Sequence, residues 1–215
     1  MSDPIVEPLT GPQARPRRTS RTQLAISGEH RTGLREVRSA VFFDRDGTLI
    51  RDVGYLKSPD QVELVPQAAS VVRAINYALW AAIIVTNQSG IARGLLTEAE
   101  YLAVRARVDD LLAERGAYVE AHYHCPHHPD FTGPCTCRKP GTALYELAAA
   151  EHAVVLPESV WVGDRWRDIA PALAFGGRGI LIPSDATPAA EIDQARQAMS
   201  VAPSLVDAVH RILHG

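Results

Sequence analysis

Two aspartates, Asp44 and Asp46, stand one residue apart directly after the apolar residues 41–43, and Gly47 and Thr48 follow them. A short apolar run that ends at turn residues is typical of a buried parallel strand. In open α/β sheets, ligands bind at the carboxyl ends of the strands. Adjacent carboxylates ionise together more readily around a cation, and Mg²⁺ prefers oxygen ligands. The pair therefore predicts a nucleophile and an acid/base at one site. If the pair stood alone, the simpler interpretation would be that one aspartate caps a turn and the other is solvated.

Three further polar segments follow in order along the chain. Thr86 comes after a second apolar run, and its hydroxyl can donate to a phosphate oxygen or bond the backbone. Lys139 is a point charge before Pro140, whose ring restricts the local backbone. Asp164 follows an apolar run and Gly163, where a carboxylate can complete a magnesium site. Four such segments in one chain argue against the interpretation that the aspartate pair only caps a turn.

The cysteines of the chain are clustered with histidine. Tetrahedral zinc accepts three thiolates and one imidazole, and four protein ligands leave no open position, so we predict a structural zinc site. His122, His124 and His128 compete for the imidazole position. The alternative is a group of reduced, buried thiols beside surface histidines. The predicted ligands are Cys125, His127, Cys135 and Cys137.

Together these segments resemble the motifs of the haloacid dehalogenase superfamily of phosphatases. The motifs read DRDGT at 44–48, VTNQSGIARG at 85–94, CRKP at 137–140 and VGDRWRD at 162–168. With the cysteine loop, they resemble the D-glycero-D-manno-heptose 1,7-bisphosphate 7-phosphatases and, less closely, the histidinol-phosphatases. The resemblance extends from about residue 39 to about residue 183.

The resemblance implies a role for each catalytic residue. Asp44 is expected to be the nucleophile that forms an aspartyl-phosphate. Asp46 is expected to protonate the leaving alkoxide, to activate water afterwards and to ligate Mg²⁺ through its backbone carbonyl. Lys139 is expected to neutralise the transferring phosphoryl group and Asp44. Asp164 is expected to ligate Mg²⁺ directly, with Asp168 behind it.

Substrate contacts are expected from four residues. Thr86 and Asn87 are expected to bind the transferring phosphate. Arg138 can fork onto a second anionic group of the substrate or lie on the surface. Arg93 can reach the substrate or decorate a helix start. The loop between His127 and Cys135 is shorter than in the enterobacterial heptose phosphatases, and it should flank the site.

The predicted function is Mg²⁺-dependent hydrolysis of a small phosphorylated sugar in carbohydrate metabolism, with D-glycero-D-manno-heptose 1,7-bisphosphate as substrate at O7. The alternatives are a histidinol-phosphatase or another small-molecule phosphatase. A polynucleotide 3′-phosphatase is less favoured, because those enzymes lack the zinc loop. A non-catalytic, zinc-stabilised binding module would have to retain four catalytic motifs without using them.

Composition fits an ordinary soluble enzyme. The 215 residues are 46% hydrophobic with a net charge of -3, and nothing in the charge indicates a nucleic acid or membrane partner. Reduced metal-binding cysteines and the lack of a secretory signal predict a cytoplasmic location. We predict a monomer. Residues 1–37 are rich in proline and arginine without apolar periodicity, which predicts a disordered tail or, alternatively, a basic arm that contacts a polyanion.

Residues 38–215 alternate between strand and helix patterns, which predicts an α/β fold with a doubly wound, Rossmann-like parallel sheet of the haloacid dehalogenase type. Only 39 residues separate Asp46 from Thr86 and 52 separate Thr86 from Lys139, so we expect no separate cap domain. Strands are predicted at 40–43, 82–85, 118–123, 160–162 and 179–182. Helices are predicted at about 68–79, 97–115 with Thr97 as cap, 143–151, 188–199 and 204–213.

Overall fold

The computed structural model describes residues 37–215, so the predicted tail lies outside the described residues except for Val37. Six parallel strands form one sheet in the order β3-β2-β1-β4-β5-β6, which is a doubly wound arrangement and confirms the predicted sheet. The strands are β1 (Ala40–Phe43), β2 (Ala81–Asn87), β3 (Ala121–Cys125), β4 (Val160–Gly163), β5 (Arg178–Leu181) and β6 (Ser200–Val201).

Helices cover both faces of the sheet. They are α1 (Ala68–Tyr77), α2 (Glu98–Ala113), α3 (Pro129–Thr132), α4 (Ala143–His152), α5 (Trp166–Ile169), α6 (Pro171–Phe175), α7 (Ala189–Ala198) and α8 (Leu205–His214). Side chains of β1 alternate between the faces: Val41 and Phe43 pack in the core beneath α1, α2 and α8, whereas Phe42 packs with α4 and α6. Because both faces are covered, β1 and β4 are buried along their whole length.

Two predicted boundaries were wrong, and one strand was not predicted. α1 ends at Tyr77, and Leu79 is 78% exposed with φ of 65°, in the turn that leads into β2. β3 begins at Ala121 because the Asn76 side-chain amide bonds both the backbone N–H and the carbonyl of Tyr118, which ties that residue to α1 instead of the sheet. The short strand β6 was not predicted.

The connections that were predicted to be short are short. Between β1 and α1 the described chain holds one 3-10 turn, Pro59–Gln61, and between β3 and α4 it holds α3. This arrangement is consistent with the expected absence of an inserted cap domain. No helix within residues 37–215 is both long enough and apolar enough to cross a membrane.

Candidate active site

The predicted catalytic side chains meet at the carboxyl edge of the sheet. Asp44 directly follows β1, Thr86 lies in β2 and Asp164 directly follows β4, so three neighbouring strands deliver them to one place. Lys139 joins them from the loop before α4. These four residues line one cavity of about 360 Å³. It lies where the order of the doubly wound sheet reverses, the usual position of a binding crevice.

Lys139 is held by three acceptors. Its Nζ donates to Asp44 Oδ1 at 2.6 Å and to the Val85 carbonyl at 2.8 Å, and it lies 2.7 Å from Asp168 Oδ1. The first two contacts are hydrogen bonds, and the third is an ion pair. The side chain is almost fully buried, as are those of Asp44 and Asp168. Lys139 is therefore a fixed positive charge beside Asp44.

Burial and neighbouring charges have opposite effects on the pKa values of Asp44 and Lys139. Burial raises the pKa of Asp44 to about 8, although the Lys139 ammonium opposes this shift by favouring the carboxylate. Burial also disfavours the ammonium, but Asp168 and Asp44 outweigh that effect and raise the pKa of Lys139. The lysine thus stays charged, and a bound cation would promote ionisation of Asp44.

A carboxylate cluster fits a divalent cation at this position. Asp44, Asp164 and Asp168 each offer an oxygen, and these oxygens lie within 4.8 Å of one another. Gly47 closes the cluster with φ of 82°, where a Cβ would lie 2.7 Å from Asp164 Oδ2. Asp168 also accepts the Arg165 backbone N–H at 3.0 Å. All-oxygen donors of this kind suit Mg²⁺.

Asp46 has its own set of partners. Arg45 contacts both of its carboxylate oxygens, with Nη2 3.0 Å from each, and Gln88 Nε2 donates to Oδ2 at 2.9 Å. Arg45 is buried and lies 5.4 Å from the ring centroid of Tyr101. The Asp46 carboxylate is therefore held by its own partners, while it lines the same cavity as the carboxylate cluster. Sequence reasoning missed Arg45 and Gln88 as positioning groups, although an arginine between two aspartates was a usable signal.

The two predicted phosphate-binding residues both line the cavity. The Thr86 hydroxyl accepts Gln88 Nε2 at 2.9 Å. Asn87 fixes the backbone of Lys139, because its Oδ1 accepts the Lys139 N–H at 3.0 Å and its Nδ2 donates to the Lys139 carbonyl at 3.3 Å. Asn87 thus couples the end of β2 to the lysine loop.

The two predicted arginines do not line this cavity. Arg93 Nη2 lies 2.7 Å from His128 Nε2, and its guanidinium lies over Phe131. Arg138 donates to the His127 carbonyl at 3.3 Å. The arginines among the described lining residues are Arg165 and Arg167 instead. The sequence signal for these two residues was the pair of arginines in the motif GDRWRD at 163–168, which was not predicted to contact the substrate.

Comparison with known proteins places the chain among phosphatases. The family model Hydrolase_like, described as HAD-hyrolase-like, matches residues 136–208. The D-glycero-beta-D-manno-heptose-1,7-bisphosphate 7-phosphatase of Yersinia pestis is 39% identical over 140 residues, 63% of this chain and 74% of the relative. The D-glycero-D-manno-heptose-1,7-bisphosphate 7-phosphatase of Thermosynechococcus vestitus is 40% identical over 154 residues, 67% of this chain and 79% of the relative.

A solved structure agrees with these sequence relatives. The D,D-heptose 1,7-bisphosphate phosphatase of B. bronchiseptica, complexed with magnesium and phosphate, superimposes with a TM-score of 0.72 at 30% identity, covering 81% of this chain and 98% of that chain. The chain belongs to the heptose-bisphosphate phosphatase family of haloacid dehalogenase-like hydrolases. It is a phosphatase, and the resemblance read from its four motifs is confirmed.

The phosphatase also brings together the four predicted zinc ligands. Sγ of Cys125 lies 3.1 Å from that of Cys137 and 3.7 Å from that of Cys135, and His127 Nδ1 lies 3.2 Å from Cys137 Sγ. All four ligand atoms lie within 4.8 Å of one another. Ligands around tetrahedral zinc, with Zn–S bonds of about 2.3 Å, are separated by roughly 3.8 Å. The donor set therefore fits zinc.

The competing histidines of the phosphatase have other partners. His122 Nε2 lies 2.7 Å from Asp109, and His124 Nε2 lies 3.1 Å from Glu98. His128 contacts Arg93 through Nε2 and accepts a backbone N–H through Nδ1. These contacts favour His127 as the imidazole ligand.

Proposed function

We propose that this phosphatase hydrolyses the 7-phosphate ester of D-glycero-D-manno-heptose 1,7-bisphosphate. The observation that carries the proposal is the buried 2.6 Å contact of Lys139 with Asp44 in a polar cavity, in a chain whose relatives bear that activity in their names. The cavity of about 360 Å³ has room for a small sugar phosphate.

Asp44 attacks phosphorus, a bond forms from its carboxylate oxygen, and the bond from phosphorus to O7 breaks. Asp46 supplies the proton that O7 takes as it leaves. Asp46 then takes a proton from water, whose oxygen attacks phosphorus and releases phosphate with the Asp44 carboxylate restored. Arg45 and Gln88 hold the Asp46 carboxylate for both transfers.

The charged groups around the transferring phosphoryl stay in place throughout. Lys139 compensates negative charge from a fixed position, and Thr86 and Asn87 offer donors to the phosphate oxygens. Asp44, Asp164 and the Asp46 backbone carbonyl would hold Mg²⁺. When bound, the ion compensates charge on the phosphoryl oxygens.

Zinc in this proposal has a structural role. Cys125, His127, Cys135 and Cys137 would fill its four positions, so no site remains for substrate or water. Cys137 lies two residues before Lys139 in the chain, so the metal would fix the lysine loop. The cytoplasmic location, the monomeric state and the extent of the catalytic domain over 38–215 stay predictions.

The test is phosphate release with Mg²⁺ from both anomers of the heptose bisphosphate, fructose 1,6-bisphosphate, histidinol phosphate and a 3′-phosphorylated oligonucleotide. We expect a heptose bisphosphate to lead by more than about tenfold in kcat/KM, roughly 1.4 kcal/mol of discrimination. A lead for histidinol phosphate or the oligonucleotide would replace the proposed substrate. Release from none of these esters would contradict the proposed substrate class.

A further inference from the structure

We propose that Arg167 binds the second phosphate of the substrate, the one that is not hydrolysed. This inference rests on the proposed function, because only a bisphosphate has such a group. It makes Arg167 a specificity residue that distinguishes bisphosphates from monophosphates.

The cavity needs an available positive charge to accept a bisphosphate. Its lining includes the carboxylates of Asp44, Asp46, Asp52 and Asp164 and, among the described residues, the cations Lys139, Arg165 and Arg167. A phosphate monoester carries close to two negative charges near neutral pH. A second phosphate in this acidic cavity therefore requires a cation that the protein has not already neutralised.

Two of the three cations are already neutralised. Lys139 donates to Asp44 and to a backbone carbonyl, and it forms an ion pair with Asp168. Arg165 forms a two-point contact with Glu191 of α7, with distances of 2.7 Å from Nη2 and 3.0 Å from Nε. The hydrogen bond from Arg165 lowers the pKa of Glu191, so this pair stays ionic.

Arg167 differs from both. Its side chain is 46% exposed, and its recorded ion contact is long, 3.9 Å from Nε to Asp168 Oδ1. Asp168 is already compensated by Lys139 at 2.7 Å. A guanidinium in this state can turn its planar fork to a phosphate and donate two parallel hydrogen bonds.

Arg167 lines the cavity from a short helix whose start is fixed. It lies in the short helix α5, whose backbone is fixed at its start by Glu191, which accepts the Trp166 N–H at 2.6 Å. Arg138, which the sequence offered for a second anion, instead donates to the His127 carbonyl and does not line the cavity. Arg167 is thus the better-placed partner for the second phosphate.

The experiment compares kcat/KM for heptose 1,7-bisphosphate and heptose 7-phosphate, with Mg²⁺, in the full chain. The wild type should prefer the bisphosphate. Arg167→Ala should reduce that preference about 30-fold, as expected for loss of charge-assisted hydrogen bonds. Arg167→Lys should recover part of it, because a point charge replaces the fork. Arg196→Ala is the matched control, since it removes an exposed α7 arginine that does not line the cavity, and should leave the preference unchanged.

Several outcomes would overturn the inference. Equal losses of both substrates in Arg167→Ala would indicate a general effect on the site, and an unchanged preference would exclude the contact. If Arg138→Ala alone removes the preference, the second phosphate binds at Arg138.

If heptose is not the preferred sugar, the proposed substrate fails. The preference for fructose 1,6-bisphosphate over fructose 6-phosphate then tests the inference about Arg167 separately. Loss of that preference in Arg167→Ala would support the inference, and no preference in the wild type would contradict it.

Discussion

As a nucleophile, Asp44 must be both buried and ionised. These two requirements conflict, because burial disfavours a charged carboxylate. Burial alone would keep Asp44 protonated, and the ammonium at 2.6 Å opposes this effect. Asp168 shares the same ammonium. Lys139 therefore keeps one carboxylate partner when either aspartate is replaced. A mutation at Asp44 can then remove the nucleophile without leaving the lysine unpaired.

Asp44→Asn should reduce phosphate release by roughly 10⁴-fold or more, because an amide cannot replace the carboxylate as nucleophile. The fold should persist, since Lys139 still contacts Asp168 and the Val85 carbonyl. Phosphate release and thermal unfolding of the purified variant measure the two effects. Wild-type turnover in this variant would show that Asp44 is not the nucleophile.

At the scale of a structural element, the zinc loop is the segment that carries the proposed zinc ligands. It connects β3 to α4, and the first proposed ligand, Cys125, is the last residue of β3. Gly141 follows the lysine in this connection at a close approach, since a Cβ there would lie 2.2 Å from the Thr136 carbonyl. The loop is thus packed closely, backbone against backbone, and zinc would add to the hydrogen bonds that hold its shape.

Cys135→Ser should lower the zinc content from one ion per chain and lower the unfolding temperature, because one of four ligands is lost. Activity should fall less than in Asp44→Asn, because Asn87 still holds the backbone of Lys139. Metal analysis of purified protein and thermal unfolding check this prediction. His128→Ala is the control and should keep full zinc; loss of zinc there, with Cys135→Ser unaffected, would contradict the ligand assignment.

The start of α2 offers a second test at this scale. The Thr97 side chain accepts the Glu100 N–H, and Glu100 accepts the Thr97 N–H. Thr97 is thus the cap of this 16-residue helix, as predicted, and it forms a capping box. Thr97→Ala should lower the free energy of unfolding by about 1 kcal/mol in urea titrations. Thr142→Ala is a matched control, because Thr142 precedes α4 without a capping hydrogen bond. Equal losses in both variants would exclude capping as the cause.

At the scale of the whole molecule, stability should depend on pH through a buried histidine. Burial lowers the pKa of His122, although the nearby Asp109 carboxylate opposes this shift. Arg105 and Arg45 act in the same direction as burial. The folded chain therefore holds this imidazole neutral, whereas the unfolded chain protonates it below about pH 6.5.

This contribution to stability is fully present above the unfolded pKa and is lost as pH falls below it. His122→Gln should flatten the decline of unfolding free energy between pH 6.5 and 5 by up to about 1.4 kcal/mol per pH unit, the limit for one proton. Urea unfolding at several pH values measures the slope. His210→Gln, at an exposed position on α8, should leave the slope unchanged, and an unchanged slope in His122→Gln would exclude this histidine.

Local pattern was sufficient for much of the fold and of the site. Apolar runs that end in polar residues predicted β1, β2 and β4, and the parallel order brings Asp44, Thr86 and Asp164 together because these ends share one edge. The cysteine spacing likewise predicted a cluster that the structure assembles. These features depend on residues close in sequence or on strand ends, which a linear pattern can represent.

The tertiary structure alone decided which charges are available to a ligand. Arg165 is neutralised by Glu191, 26 residues away, and Arg93 and Arg138 contact the zinc loop, whereas Arg167 faces the cavity. β3 begins later than predicted because Asn76 captures the backbone of Tyr118. Such outcomes depend on contacts between distant segments, and sequence spacing does not determine where a long flexible side chain finds its partner.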